Sequence, residues 1–228
     1  MLPKIEVPIF DVSIPSTGEV YKFRPFLVRE EKILMLASEG GEYKDMIGAC
    51  EQIVANCSQE EIKVDELSIF DLQHIFMRLK EKSTGSSQEF TLICGGCEEK
   101  MSYTLDLTDV NVVGLDTAPD KLIKISDTVA IELAYPTAKT VMEISDTDDT
   151  DIVVKCIKRV YSEDEILEIS DETTEDVMEF IDNLPLDVFE KVQEFFQKMP
   201  KVEHMVEYKC KCEFENRISI NGYEHFFV

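Results

Sequence analysis

Positive charge is what this chain has least of: 23 lysines and arginines stand against 47 aspartates and glutamates, a formal net charge of -24. Phosphate backbones and anionic headgroups attract basic surfaces, so nucleic acid and membrane surfaces are excluded as expected partners. No segment approaches the roughly 18 apolar residues that a membrane span needs. The start, Met1-Leu2-Pro3-Lys4-Ile5-Glu6, lacks the basic region and apolar run of a secretory signal. The expectation is an intracellular, reducing setting, where paired cysteines more often bind metal than form disulfides. Catalytic signatures are missing too: no Gly-x-x-x-x-Gly-Lys loop, no Gly-x-Ser-x-Gly elbow and no His-Glu-x-x-His. The carboxylates are many, but nothing selects two of them for acid-base work. The chain is therefore expected to be no enzyme and to have no small-molecule substrate.

What is present is a folded composition, 44% hydrophobic and 31% charged over 228 residues, long enough for a sizeable core. The acid gathers late: Asp146-Thr147-Asp148-Asp149-Thr150-Asp151, then Glu163-Asp164-Glu165, Asp171-Glu172 and Glu175-Asp176. Solubility is one reading of it and a basic protein partner the other, with the helical face after Asp151 as the expected contact. A calcium loop is not indicated, because the Asp146 run lacks the glycine and terminal glutamate of an EF-hand.

Along the chain, Ile5, Val7 and Ile9 alternate as in a strand, Pro15-Ser16-Thr17-Gly18 reads as a turn, and Val20-Tyr21-Lys22-Phe23 returns. Helical text runs from Val28, with Ile33, Leu34, Leu36 and Ala37 at mixed three and four spacing, to a stop at Gly40-Gly41. A second helix spans Tyr43 to about Asn56, burying Ile47, Cys50 and Val54. A third starts near Ser68, where Ser68-Ile69-Phe70-Asp71 has capping-box form, and buries Leu72, Phe76 and Leu79. The order then repeats. Ile123-Lys124-Ile125 and Val129 to Leu133 flank a turn, a helix starts after Thr137, another covers Asp151 to about Tyr161, and the last starts at Pro185. In the last two, Val153, Val154, Ile157 and Val160, then Val188, Val192 and Phe195, face inward. An offset of 116 residues lays Asp71 to Leu79 on Asp187 to Phe195 and Cys94 on Cys210.

Four of the seven cysteines form two tight pairs, Cys94-Gly95-Gly96-Cys97 and Cys210-Lys211-Cys212, each between strand-like flanks. Zinc asks for about four thiolate or imidazole ligands in a tetrahedron, and a hairpin turn presents two of them. Two such hairpins side by side make a zinc ribbon, so Zn2+ on Cys94, Cys97, Cys210 and Cys212 is the expected metal site. The single residue between Cys210 and Cys212 demands a tighter bite than the usual two. Gly95 and Gly96 let amides turn toward the sulfurs, and Lys100, Lys209 and Lys211 offset thiolate charge. The alternatives are a relic hairpin pair with reduced thiols and a redox Cys-x-x-Cys, which works at a helix N-terminus rather than between strands. Cys50, Cys57 and Cys156 read as small buried hydrophobes. His74 reads as lying on the wetter side of its helix, while His204 or His225 could stand in as a ligand.

Pro8-Ile9-Phe10, Ile14-Pro15-Ser16-Thr17-Gly18 and Phe23-Arg24-Pro25-Phe26-Leu27-Val28-Arg29-Glu30-Glu31-Lys32 resemble the opening of the baseplate hub subunits of T-even-type contractile-tailed bacteriophages. So does the run from Asp71 to Gly85 into a cysteine hairpin, and the likeness covers most of the chain. The resemblance implies a late phage protein of the tail baseplate hub, either a hub subunit or an assembly factor (a chaperone) that holds a hub or tape-measure protein. It implies no catalytic residues, and a place in the host cytoplasm during assembly or in the virion tail. The rival from another class is a thiol-disulfide oxidoreductase using Cys94 and Cys97.

The expected fold is α+β with two related halves, each ending in a Cys-bearing β-hairpin, the two hairpins forming a zinc-ribbon-like clasp. Its segments are residues 1-87, a first hairpin 88-106, a connector 107-120, a second half 121-204, and a second hairpin with tail 205-228.

Overall fold

The computed structural model describes the backbone of residues 5-144 and 149-221, and the side chains of all of these except 149 and 150. Residues 1-4, 145-148 and 222-228, which include Asp146 to Asp148 of the acidic run and His225, lie outside the described residues. The chain is mixed α+β and forms two compact units, Met1–Val113 with Lys201–Val228, and Gly114–Pro200. In order, the first unit opens with β1 (Phe10–Ser13), β2 (Val20–Phe23), α1 (Val28–Gly40), α2 (Tyr43–Cys57), α3 (Ile69–Thr84), β3 (Ser87–Ile93), β4 (Lys100–Asp106) and β5 (Asn111–Val113). The second holds β6 (Leu122–Lys124), β7 (Ala130–Leu133), α4 (Ala138–Glu143), α5 (Asp149–Cys156), β8 (Ile157–Tyr161), β9 (Ile166–Glu168), α6 (Thr174–Asp182) and α7 (Leu186–Lys198). The chain then returns to the first unit as β10 (Lys201–Lys209) and β11 (Glu215–Asn221).

In the first unit β1 and β2 pair antiparallel, Phe10 opposite Phe23, around a turn in which Gly18 has φ of 74° and donates to the Ile14 carbonyl at 2.8 Å. The strand expected from Ile5 begins only at Phe10, and Ile5 and Ile9 are exposed. Pro8 has no N–H to give a ladder, and the four-residue partner leaves nothing for the earlier residues to pair with. Helices α2 and α3 supply most of this unit's core: Ile47, Ile53, Leu72, Ile75, Phe76 and Leu79 are fully buried. Each such side chain contributes roughly 1.5–3 kcal/mol by leaving water. Ser68 caps α3 by accepting the Asp71 amide, and Asp71 is itself buried, accepting the Ser16 amide at 2.9 Å.

Helix α1 packs differently from its pattern. Leu34 is buried, but Leu36 is 70% exposed, and the other buried residue of α1 is Glu30. Arg24, also buried, donates to both Glu30 oxygens at 3.2 and 3.0 Å and to the Pro25 and Asn56 carbonyls. The Leu27 amide and Arg29 Nε complete the carboxylate's shell at 2.8 and 2.6 Å. Burial raises the Glu30 carboxyl, and these donors, Arg24 foremost, outweigh it and hold it at about 2. A paired carboxylate thus takes an inward position that an apolar residue would otherwise fill, and the helix turns Leu36 outward.

In the second unit β6-β7-β8-β9 form one antiparallel sheet. Ile131, Leu133, Val153, Ile157, Val160, Val177, Ile181, Val188, Val192 and Phe195 make its core, and Tyr135 stacks on Phe195 at 5.3 Å. The helix expected from Asp151 to about Tyr161 ends at Cys156. Ile157 and Val160 are buried as expected, but as strand residues, because β8 gains ladder partners on both sides, β7 and β9. Helix α6, unforeseen, follows a Thr173 cap that accepts the Asp176 amide.

Two local devices recur along the chain. The Arg24 amide donates to the Cys57 carbonyl at 3.0 Å, and the Ala134 amide donates to the Cys156 carbonyl at 2.7 Å. In each case the end of the second helix returns to the strand before the first. A short 3-10 turn precedes the Ser68 cap of α3, and another precedes the Thr173 cap of α6. The 3-10 turn and cap thus recur at α3 and α6, while the 116-residue offset in sequence lays α3 on α7.

Candidate metal centre

Strands β3 and β4 pair over their whole length, Ser87 opposite Asp106 to Ile93 opposite Lys100. Strands β10 and β11 pair from Glu203–Asn221 to Lys209–Glu215. β5, read from sequence as connector, adds a third strand to β10 through Val113–Lys201 to Asn111–Glu203. Each hairpin tip holds one cysteine pair, and both tips lie in the first unit.

The two turns are built alike despite their different lengths. The Cys94 amide donates to Glu99 O and the Glu98 amide to Cys94 O, at 3.0 and 2.9 Å. In the second, the Cys210 amide donates to Phe214 O and the Glu213 amide to Cys210 O, both at 2.9 Å. The residue after the second cysteine takes positive φ in both, 59° at Glu98 and 68° at Glu213. That conformation costs roughly 1–2 kcal/mol for a residue with a Cβ, so each turn is held by its surroundings. The missing residue of Cys210-Lys211-Cys212 is absorbed by closing the turn one residue sooner.

The four sulfurs lie within 4.8 Å of one another. Two contacts cross between hairpins at 3.7 Å, Cys94 with Cys212 and Cys97 with Cys210. Such a cluster is compatible with a metal ion. Cys94 is buried, Cys210 half-buried, and Cys97 and Cys212 are exposed. Asn216, buried, donates Nδ2 to Cys94 Sγ at 3.4 Å and accepts the Gly95 amide at 2.9 Å, while the Gly96 amide donates to the same sulfur at 3.3 Å. Asn216 first, then the amides, brings the Cys94 thiol down to about 6. The Glu99 amide lowers the Cys97 thiol, but the sulfurs of Cys212, Cys210 and Cys94 together push it up to about 12. Four thiolates at this spacing repel, and a divalent cation removes that repulsion.

The family model of the T4 bacteriophage base plate protein matches residues 7–228. The chain belongs to that family. No curated protein and no solved structure matches it. As a baseplate protein it brings together all four sequence-expected cysteines. His204 stays apart from them: its ring lies 3.5 Å from the Tyr103 hydroxyl, and no histidine joins the cluster among the described residues. His74, expected on the wetter side of α3, is half-buried, and burial with the nearby Arg78 charge pushes it down to about 4. Cys50, Cys57 and Cys156 are buried; burial lifts the Cys57 thiol to about 11 and the Cys156 thiol to about 12. Lys211 pairs with Glu99 at 3.4 Å across the hairpins.

Two contributors escaped sequence reading. Asn216 reaches Cys94 across 122 residues of sequence, and no local pattern announces that. Phe214 lies on the backbone of Gly95 and Gly96: a Cβ on Gly96 would stand 2.8 Å from Phe214 Cβ and Cγ, so here glycine makes room for a ring. The paired glycines were the available signal: they free the Gly96 amide to turn toward Cys94 Sγ and also leave room for the ring.

Proposed function

We propose that this baseplate protein is a non-enzymatic component or assembly factor of the central hub of a contractile tail, with a zinc-ribbon-like clasp on Cys94, Cys97, Cys210 and Cys212. The convergence of four thiols at two hairpin tips carries the clasp. With Zn–S bonds of about 2.3 Å, neighbouring sulfurs of a tetrahedron stand about 3.8 Å apart. The crossing contacts at 3.7 Å fit that edge. An all-sulfur set leaves no open coordination position for a reacting water, which suits a structural ion. Zinc there ties chain before residue 114 to chain after residue 200 and supplies folding energy to the first unit. We read the recurring helix-end and cap contacts of the halves as the trace of a duplication.

The partners proposed are other tail proteins, a hub or tape-measure protein in the host cytoplasm during assembly. From Ser162 to Glu190 the chain carries no lysine or arginine. A basic partner held against that surface by charge is easily displaced, as an assembly factor requires. Mass-spectrometric counting of the protein in purified particles and in infected-cell lysate decides between the two roles. A fixed few copies per particle make it a hub subunit; abundance in lysate with none in the particle makes it an assembly factor.

One observation favours the rival, a thiol-disulfide oxidoreductase: the lowered Cys94 thiol. Against it, Cys94 is the buried member, the exposed Cys97 is the one pushed up, and both sit in the turn between two strands rather than at a helix N-terminus. Turnover of a dithiol substrate by the purified protein, lost in Cys94→Ser, would establish the rival.

A further inference from the structure

The two 3.7 Å contacts give the cluster a second chemistry. Each joins an exposed sulfur to a more sheltered one in the other hairpin: Cys97 to the half-buried Cys210, and Cys212 to the buried Cys94. We infer that the cluster is an oxidation site for hydroperoxides, at which the metal clasp is exchanged for two crossed disulfides, Cys94–Cys212 and Cys97–Cys210. This rests on the metal reading above.

A hydroperoxide reaches the exposed sulfurs first. The Cys97 thiolate attacks one peroxide oxygen; an S–O bond forms, the O–O bond breaks and hydroxide leaves. The neighbouring Cys210 thiolate then attacks that sulfenic sulfur; the S–S bond forms, the S–O bond breaks and a second hydroxide leaves. Cys212 and Cys94 follow the same course. For the whole cluster, four metal-bound thiolates and two molecules of hydrogen peroxide give two disulfides, one free Zn2+ and four hydroxide ions. Sulfur is oxidised, peroxide oxygen is reduced and charge balances. Exposure selects the sulfur attacked, and the 3.7 Å contact that reaches across to the other hairpin marks its resolving partner.

The pairing has a structural consequence. A disulfide within one turn, Cys94–Cys97 or Cys210–Cys212, would discharge the metal and leave the hairpins unlinked. Crossed disulfides keep β3–β4 tied to β10–β11 after the metal has gone. The clasp that forms in a reducing cell therefore survives transfer to an oxidising medium, now as a covalent one.

The test uses the full chain, purified reduced, with metal content measured first and hydrogen peroxide added in steps. A chromogenic chelator follows zinc, and peptide mapping by mass spectrometry without reductant identifies the linkages. The expected result is release of one zinc per chain for two peroxides consumed, with Cys94–Cys212 and Cys97–Cys210 peptides dominant. Cys94–Cys97 or Cys210–Cys212 peptides as the main product, linkages between chains, or sulfinic acid at Cys97 and Cys212 without disulfide would overturn it. A reduced protein without metal overturns the metal reading, while the linkage map of that same protein still judges the pairing. In Cys212→Ser the Cys97–Cys210 disulfide is expected to form alone, with Cys94 remaining a free thiol.

Discussion

Replacing Arg24 by alanine strands Glu30. The carboxylate is wholly buried in the folded chain, and Arg24 provides two of its four hydrogen bonds, at 3.2 and 3.0 Å. Breaking a buried pair by removing one partner costs about 3–5 kcal/mol, because a charge is left uncompensated. The carboxylate's whole shell is of the same order: burial, Arg24, the Leu27 amide and Arg29 together hold Glu30 at about 2 against an ordinary 4.5, and at about 1.4 kcal/mol per pKa unit that is about 3 kcal/mol. The folded value is the lower one, so this contribution is fully present above pH 4.5 and lost as pH falls through about 2. Calorimetry of Arg24→Ala at pH 7 should show the transition of the first unit, assigned by hydrogen exchange of α2 amides, falling by about 6–20 °C. Replacing both partners with apolar residues, Arg24→Met with Glu30→Leu, should recover most of the loss, since a well-packed apolar pair no longer hides a charge. A shift under about 1 kcal/mol for Arg24→Ala, or no recovery in the double variant, would mean that the pair is not the buried anchor of α1.

Cys94→Ser should lose zinc and lower the thermal stability of the first unit; full metal content by elemental analysis with unchanged melting would refute the clasp. Gly96→Ala should destabilise by about 1–3 kcal/mol through overpacking, as measured by urea unfolding, and the increment should shrink in a Phe214→Gly background, which removes both the Cβ and the ring it meets. His74 is held at about 4 from an ordinary 6.5, so the unfolded chain binds the extra proton and stability declines as pH falls from 6.5 toward 4; His74→Leu should flatten that decline in a pH series of melts. Val113 and Lys201 are paired strand residues, so replacing residues 114-200 with a short turn should leave a first unit that folds and binds one zinc per chain by elemental analysis; an unfolded product would refute its autonomy.

The readable parts of this molecule are those whose cause is local. The cysteine pairs announce hairpin tips because ligand spacing and flanking alternation both lie within about twenty residues. Helix α2 is legible because Ile47, Cys50 and Val54 keep one face and nothing competes with them. β8 reads as helix in sequence because Ile157 and Val160 suit a helix face as well as a strand, and only the presence of β7 and β9 decides. Helix α6 was hidden in acid that reads as solvated chain. Its signals were present all the same, Thr173 three residues before Asp176 and the i,i+4 pair Val177 and Ile181, both buried. Arg24 and Glu30 look like surface charge until tertiary contacts with the Asn56 carbonyl and the α1 start enclose them. Asn216 could not be read at all, because its partner is a sulfur in the other hairpin.

The residues of the opening string Phe23 to Lys32 therefore act on different levels. Pro25 and the Leu27 amide shape the start of α1, while Arg24 uses its backbone and its side chain toward the same place, the end of α2. Its amide donates to the Cys57 carbonyl and its guanidinium to the Asn56 carbonyl, two of the helix-terminal acceptors that otherwise need water or a cap. The second half meets the same need at Cys156 with the Ala134 amide alone. An alanine there can bring no charge into the core, so no buried carboxylate is required opposite it. Acid titration should accordingly loosen the first unit through Glu30, whereas no wholly buried carboxylate stands among the described residues of the second.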